Sequence, residues 1–129
     1  MKVVYVAGPY RGPDAFAIAE NIRRAERVAL EVWKLGAACL CPHTNTAHFQ
    51  GCAPDNLWLE GDLELLRRCD AVITVKDWTR SGGAQAEIRF AHEHKIPVFH
   101  NLWRLSAWLR TTSARGPDDR SSTLLSIHE

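Results

Sequence analysis

Two acidic residues of this sequence stand among apolar residues at helical spacing. Glu87 lies between Ala84 and Ala91, three positions after one and four before the other, so the three side chains share one face of a predicted helix. Asp62 stands in the same way between two leucines. Carboxylates that face a protein interior suit acid/base or nucleophilic chemistry at a sugar. The spacing is equally compatible with carboxylates at the border of each apolar stripe, solvated or capping a neighbouring backbone group.

Two glycine-containing segments that each follow a predicted strand could bind an anion. The first segment contains Gly8, Arg11 and Gly12, and the second contains Ser81 and Gly83. Backbone N–H groups at a helix N-terminus favour negative charge, and a guanidinium adds a two-pronged donor for phosphate. Neither segment has the spacing of a known nucleotide-binding loop, and each is compatible with a tight strand-to-helix turn. Together they favour a phosphorylated small molecule as the ligand.

Further candidates are polar or aromatic residues near the predicted strand ends. His43 and Asn45 follow the second strand, where they could contact a base or a sugar or satisfy loop backbone groups. Tyr5 lies within the first strand, a position typical of core residues, but its hydroxyl could reach a carboxylate at the carboxyl end of that strand. Trp58 and Trp78 could each form a wall for a base, although tryptophan in a small core needs no such role.

Short apolar runs alternate with helical patterns along the chain, and this alternation predicts the elements that position these residues. The predicted strands span residues 3–7, 37–41, 71–75 and 96–100. The predicted helices span residues 14–35, 57–68, 84–94 and 102–110, and residues 43–56 are predicted to form a loop. The pattern predicts a single-domain α/β fold, a doubly wound Rossmann- or flavodoxin-like parallel sheet of about four or five strands with helices on both faces. Ligands of such sheets bind at the carboxyl ends of the strands, which is where the candidate residues stand.

Length and composition fit one globular domain. The chain has 129 residues, of which 46% are apolar, and its 16 basic and 15 acidic side chains leave a formal net charge of +1. This near-balance argues against a protein that coats a nucleic-acid polymer, because such proteins carry a basic excess. No apolar run approaches the roughly 18 residues of a membrane span, and no secretory pattern opens the chain, so we expect a cytoplasmic protein. We expect a domain over residues 1–111 and a polar tail over residues 112–129.

The cysteine pattern points to no cofactor. Cys39, Cys41, Cys52 and Cys69 form no C-x-x-C pair and no disulfide-dense spacing. Cys39 and Cys41 are two apart, so on a strand they point to the same face. We therefore expect free thiols, most of them buried, with no disulfide and no metal.

Three motifs, taken together, resemble those of the nucleoside 2-deoxyribosyltransferase superfamily. Residues 5–12 (Tyr-Val-Ala-Gly-Pro-Tyr-Arg-Gly) resemble its first-strand motif. Asp62 and Asp70, eight positions apart, resemble a second motif that holds two aspartates at that spacing. The run from Ser81 to Glu87 resembles a third, in which the nucleophilic glutamate stands six positions after a serine. The resemblance covers roughly residues 2 to 100. It is closest to the 2′-deoxynucleoside 5′-monophosphate N-glycosidase branch and to an uncharacterised phage and bacterial group within the superfamily.

The resemblance implies roles for the candidate residues. Glu87 would attack C1′ of the sugar and form a covalent glycosyl intermediate, Asp62 would assist departure of the base, and Tyr5 would hold Glu87 in place. Arg11 and Ser81, with the backbone around residue 83, would bind the 5′-phosphate.

The function that follows from these roles is hydrolysis of the N-glycosidic bond of a (deoxy)nucleoside 5′-monophosphate to a base and a sugar phosphate. A non-catalytic nucleotide-binding or sensing protein and a nucleoside deoxyribosyltransferase are the alternatives. The resemblance further implies a homodimer or higher homo-oligomer, in which a neighbouring subunit completes each pocket. It implies no metal and no organic cofactor, and neither a nucleic-acid polymer nor a membrane is an expected partner.

Overall fold

Strands and helices alternate along the chain in the computed structural model, which describes residues 1–113. The strands are β1 (Val3–Ala7), β2 (Ala38–Leu40), β3 (Ala71–Thr74) and β4 (Val98–Phe99). The helices are α1 (Ala15–Lys34), α2 (Pro42–Asn45), α3 (Asp55–Arg67), α4 (Gly82–Glu93) and α5 (Leu102–Ser113), and a short 3-10 helix (Trp78–Arg80) precedes α4. The strands form one parallel sheet in the order β2-β1-β3-β4. The predicted single-domain α/β fold is thereby confirmed.

Alternate side chains of β1 point to opposite faces of the sheet, and each face is covered by its own apolar layer. Val4 and Val6 face the layer that contains the buried side of α1 and residues of α5. Tyr5 and Ala7 face the opposite layer, which contains Leu66 of α3 and the buried side of α4. The candidate acids on α3 and α4 therefore lie on the same side of the sheet as Tyr5.

The strand order brings the loops after β1 and β3 together. The chain leaves β1 for β2 on one side of the sheet and reaches β3 on the other, so the space between β1 and β3 is the switch point of the topology. The backbone N–H of Val75 donates to the carbonyl of Ala7 at 2.8 Å, which extends this pairing just beyond β3. Helices α3 and α4 each follow a strand, so both begin at this carboxyl edge of the sheet.

Short polar side chains begin three of the helices. Asp14 Oδ1 accepts from the backbone N–H of Ala17 at 2.8 Å at the start of α1. Ser81 and Asn101 make the equivalent bond at the start of α4 and α5. Each side chain satisfies a backbone donor that lacks a partner inside its helix, and such residues place the helix start within a residue or two.

Two predictions about local structure are wrong. Residues 43–56 do not form a loop throughout, because α2 makes one turn in which the carbonyl of Cys41 accepts from the N–H groups of Thr44 and Asn45. A proline at the first helical position, with its fixed φ, favours this turn. Leu59, one of the two leucines that flank Asp62 on the predicted apolar face of α3, is 37% exposed, because only the second half of α3 packs on the sheet.

The last helix extends beyond its predicted end. Helix α5 continues to Ser113, so it includes the first two residues of the predicted tail. The rest of that tail, residues 114–129, lies outside the described residues, and the predicted boundary stays a prediction. Among residues 1–113, no helix combines the length and apolar character needed to cross a membrane.

Candidate active site

The centre of the candidate site is a buried pair formed by Tyr5 and Glu87. Tyr5 has no exposed surface, and its hydroxyl donates a hydrogen bond to Oε2 of Glu87. Glu87 is 6% exposed and shares the buried face of α4 with Ala84, Ile88 and Ala91. Burial raises the pKa of Glu87 to about 8, opposed by the Tyr5 hydrogen bond and reinforced by the charge of Asp62. The fold thus keeps one carboxyl group in an apolar layer and gives it a single fixed donor.

Asp62 supplies a second carboxyl group beside this pair. It lies half-buried on α3, and burial raises its pKa to about 6. Its charge also raises the pKa of Glu87 and of Tyr5, so the three groups lie close enough to influence one another. Within residues 1–113 the side chain of Asp62 makes no hydrogen bond, which leaves it available to a ligand.

The two carboxyl groups titrate as a coupled pair with separated pKa values. Between about pH 6 and pH 8 this order leaves the proton on Glu87 and the charge on Asp62 in most molecules. Burial, followed by the charges of Glu87 and Asp62, raises the pKa of Tyr5 well above its usual value, so its hydroxyl stays protonated. Tyr5 therefore remains a donor to Glu87 across the pH range in which the carboxyl groups ionise.

Glycines in the loop after β1 permit close packing at the carboxyl edge. A Cβ added to Gly8 would lie 2.6 Å from Cβ of Val75, and one added to Gly12 would lie 2.6 Å from Cβ of Ala17. No side chain fits at either position without a shift of its neighbours. The loops after β1 and β3 are therefore in direct contact, with Glu87 and Tyr5 on elements that adjoin them.

The start of α4 offers free backbone donors. Ser81 Oγ accepts from the N–H of Ala84 at 3.2 Å, and Gly82 and Gly83 form the first two positions of the helix. Both glycines are exposed, and within residues 1–113 their N–H groups make no hydrogen bond. A Cβ at Gly82 would have no neighbour within 4 Å, so packing does not explain glycine there. The arrangement can accept an anion.

Arg11 is held at the same edge by an acid that sequence reasoning missed. Its guanidinium forms an ion pair with Asp55 in the first turn of α3, and both side chains are exposed. An acid at a helix start is a recognised signal, but nothing in the sequence shows its distant partner. Asn21 of α1 was also missed; its Nδ2 donates to the carbonyls of Tyr10 and Arg11, each at 3.1 Å.

His43 and Asn45, the candidates from the loop after β2, lie in different environments. His43 is buried, and its Nε2 forms a hydrogen bond with the carbonyl of Pro9 at 2.8 Å. Burial lowers the pKa of His43, so the neutral ring supports the loop after β1 as a donor. Asn45 is exposed at the end of α2, where its side chain makes no hydrogen bond within residues 1–113. Contact of either residue with substrate stays a prediction.

The cysteines and other metal-binding side chains form no centre in this part of the chain. All four cysteines are free, with Cys41 and Cys69 buried. Within residues 1–113, no group of three or more His, Cys, Asp and Glu side chains is arranged to hold a metal ion. The candidate site described above contains two carboxyl groups, a phenol and the backbone donors at the start of α4.

The protein is a doubly wound α/β protein in which α3 and α4 each carry a candidate carboxyl group, and a buried tyrosine of the sheet donates to the one on α4. The chain belongs to the family described as Domain of unknown function (DUF7768), whose model matches residues 2–101. A search of curated protein sequences gives no significant match.

Two solved structures share this fold. One is a 2-deoxyribosyltransferase from Bacillus psychrosaccharolyticus, with 19% identity, coverage of 74% of this chain and 69% of that chain, and a TM-score of 0.52. The other is a conserved protein from Enterococcus faecalis V583, with 21% identity, coverage of 76% and 61%, and a TM-score of 0.60. The chain thus spans less than two thirds of the second protein. The fold implied by the sequence resemblance is confirmed, and the N-glycosidase branch stays a prediction.

Proposed function

We propose that this protein is a nucleotide N-glycosidase, which hydrolyses the N-glycosidic bond of a (deoxy)nucleoside 5′-monophosphate. The observation that carries the proposal is the buried hydrogen bond from Tyr5 to Glu87, with the unpartnered carboxyl group of Asp62 beside it. A buried glutamate with one fixed donor suits attack at a sugar carbon, and a second acid close by suits proton transfer.

In the first chemical step, the Glu87 carboxylate attacks C1′ while the C1′–N bond breaks. The electron pair of that bond leaves with the base, and Asp62 donates a proton to the base. Positive charge develops at C1′ in the transition state, and the carboxylate stabilises this charge before it forms the ester. The Tyr5 hydroxyl fixes the other end of the Glu87 carboxylate, so that one oxygen is held and one is presented.

In the second step, water cleaves the glycosyl ester. Asp62, now ionised, takes a proton from water as the oxygen bonds to C1′, and Glu87 leaves as a carboxylate. The products are the free base and the sugar 5-phosphate, and both side chains return to their starting state. The exchange of roles by Asp62 follows the logic of retaining glycosidases.

The loops after β1 and β3 carry hydrogen-bond donors that can bind the phosphate group of the substrate. Within residues 1–113 the N–H groups of the exposed Gly82 and Gly83 have no acceptor, and Arg11 lies on the loop that contacts the loop after β3. An exposed ion pair such as Arg11–Asp55 contributes little, so the guanidinium can exchange its partner for a phosphate. These groups support a nucleotide rather than a nucleoside as the substrate.

Deoxyribosyl transfer is the second candidate, because one protein with this fold is a 2-deoxyribosyltransferase. The same carboxyl pair would form the same glycosyl ester, and a second base would replace water as the acceptor. A transferase that acts on nucleosides has no phosphate to bind. The free donors at the start of α4 therefore favour the hydrolase.

The proposal is tested by incubating the protein with matched panels of nucleosides and nucleoside 5′-monophosphates and measuring free base by chromatography. We expect base release from one or two nucleotides and at least tenfold slower release from the corresponding nucleosides. A parallel reaction with a second free base separates the candidates, since only a transferase yields an exchanged product. Tight binding of a nucleotide without any base release would show a binding protein and overturn the proposal.

A further inference from the structure

One face of α3 crosses the carboxyl edge of the sheet and carries a tryptophan between two site residues. Asp55, Trp58 and Asp62 stand at positions i, i+3 and i+7, so they share this face of the helix. Its first member pairs with Arg11, and the charge of its last member acts on Glu87. Because Asp55 and Asp62 both interact with residues of the candidate site, Trp58 lies on the side of α3 that adjoins this site, one helical turn from Asp62.

The surroundings of Trp58 are apolar and open. Its ring lies against the ring of Phe49, with centroids 5.8 Å apart and an interplanar angle of 44°. Phe49 is 47% exposed, so the pair of rings lies at the surface of the protein. Exposed apolar side chains grouped beside a candidate site are typical of a ligand-binding surface.

The indole N–H of Trp58 is the one buried side-chain polar atom that has no hydrogen-bond partner within residues 1–113. Such a donor is unfavourable, and buried tryptophan N–H groups usually find an acceptor. A ligand with an acceptor atom in the plane of the indole ring would satisfy this donor.

The other candidate wall, Trp78, already has a partner. Its ring stacks on His100, with centroids 5.4 Å apart and an interplanar angle of 13°. The hydroxyl of Thr74 and Nδ1 of His100 are hydrogen-bonded at 2.9 Å, which fixes that stack. Trp58 is therefore the better candidate for an aromatic surface that a ligand can cover.

We propose that Trp58 forms a wall of the base subsite, on which the leaving base stacks. The inference rests on the proposed function and names the part of the substrate that Trp58 recognises. The ligand is a planar heteroaromatic base, and the indole N–H, which lies in the plane of its ring, is left for an acceptor atom on another part of the substrate. Stacking on Trp58 holds the base one helical turn from Asp62, which donates the proton to it.

The test compares three variants over the nucleotide panel. Trp58→Leu removes the aromatic surface, Trp58→Phe keeps a ring without the N–H, and Trp33→Leu is the control, a half-exposed tryptophan on α1. We expect Trp58→Leu to raise KM about tenfold, the scale of one base stacked on an aromatic ring, with a smaller change in kcat. Trp58→Phe keeps most of the affinity, because phenylalanine keeps an aromatic surface, and Trp33→Leu matches the wild type.

A second measurement separates this inference from the proposed function. Calorimetric titration of Glu87→Gln protein with the same nucleotides, with and without Trp58→Leu, measures binding apart from turnover, and melting curves identify folded variants. Base release with KM and Kd unchanged by Trp58→Leu would overturn the base wall and leave the glycosidase in place. No base release, but weaker binding in Trp58→Leu, would uphold the wall and overturn the glycosidase. Neither release nor binding would overturn both.

Discussion

At the scale of single residues, Glu87 combines burial with one hydrogen-bond donor, and it has no ion pair with a cation among residues 1–113. Its helical spacing among small apolar residues predicts the inward face, and the structure places it there. The residue pattern alone allows the Tyr5 hydroxyl to reach a carboxylate without saying which one, and only the family resemblance names Glu87, since the two residues are 82 positions apart and meet where α4 packs on the sheet. The separation of the two carboxyl pKa values depends on that packing, so it too is outside the reach of sequence patterns.

The coupled carboxyl groups predict a bell-shaped pH dependence of kcat/KM. The limits of the bell lie near the two pKa values, about 6 for Asp62 and about 8 for Glu87. The reaction needs Glu87 ionised and Asp62 protonated, which is the less populated of the two singly protonated forms, because the higher pKa leaves the proton on Glu87 in most molecules. Both singly protonated forms rise and fall together with pH, so the rate follows their sum. We therefore expect a maximum close to neutral pH.

Tyr5→Phe tests the donor that this pair depends on. The Tyr5 hydrogen bond lowers the pKa of Glu87, so its loss raises that pKa further and moves the alkaline limit of the profile upward. The rate at neutral pH should fall roughly ten- to a hundredfold, the scale of one hydrogen bond to a charged group. Tyr10→Phe is the control, because the Tyr10 hydroxyl makes no hydrogen bond within residues 1–113. An unshifted profile in Tyr5→Phe would contradict the positioning role.

At the scale of elements, the sequence predicts the strand and helix order, because buried parallel strands read as apolar runs and amphipathic helices as periodic ones. The helical turn over residues 42–45 escapes prediction, since four residues cannot show a period. The sequence pattern also does not predict that the first half of α3 is exposed, for a different reason. Apolar spacing identifies a face of a helix but not how far the helix extends beyond the sheet that it covers.

Two glycine-to-alanine changes test how the elements are packed. Gly8→Ala should destabilise the protein by about 1–3 kcal/mol, because its Cβ would meet Val75 at 2.6 Å where the loops after β1 and β3 touch. Gly61→Ala should stabilise it by up to about 1 kcal/mol, since this glycine lies inside α3 with no atom within 4 Å of an added Cβ. Urea unfolding measures both. Equal effects of the two changes would show that the loops are not in contact.

At the scale of the whole molecule, the buried acid makes stability depend on pH. Burial raises the pKa of Glu87 from 4.5 to about 8, so between these values the folded protein binds a proton that the unfolded chain does not. The free energy of unfolding therefore falls as pH rises through this window, by at most about 1.4 kcal/mol per pH unit from this group.

Glu87→Gln removes that proton and keeps the shape of the side chain. The variant should lose much less stability than the wild type between pH 5 and pH 8, as measured by urea unfolding at each pH. Asp62 also lowers the free energy of unfolding as pH rises, but over a lower pH range, because burial raises its pKa to about 6. Its contribution is the same in the wild type and in Glu87→Gln, so it does not affect the comparison. If the free energy of unfolding changes with pH in the same way in both proteins, Glu87 is not held in a buried, protonated state.

The whole fold could be predicted because it follows from the alternation of apolar runs and helical patterns, whereas the site could be predicted only as a set of candidates. Gly8 and Gly12 lie on a predicted anion-binding loop, and an added Cβ at either position would also come too close to Val75 or Ala17. His43 forms a hydrogen bond with the carbonyl of Pro9 in that loop, and its contact with substrate stays a prediction. Sequence spacing places residues at the correct edge of the sheet, but the partners of their side chains are set by contacts between distant elements.

The most direct test of the central claim is the rate of base release by Glu87→Gln protein, measured on the nucleotide that the wild type cleaves fastest. Glutamine keeps the size of the side chain and a hydrogen-bond acceptor for Tyr5, but it cannot form the glycosyl ester. If Glu87 is the nucleophile, we expect base release by the variant to fall by at least about a thousandfold, toward the uncatalysed rate. Calorimetry should show that the variant binds the nucleotide within a few fold of the wild-type affinity. Base release at the wild-type rate in this variant would contradict the claim that Glu87 is the nucleophile.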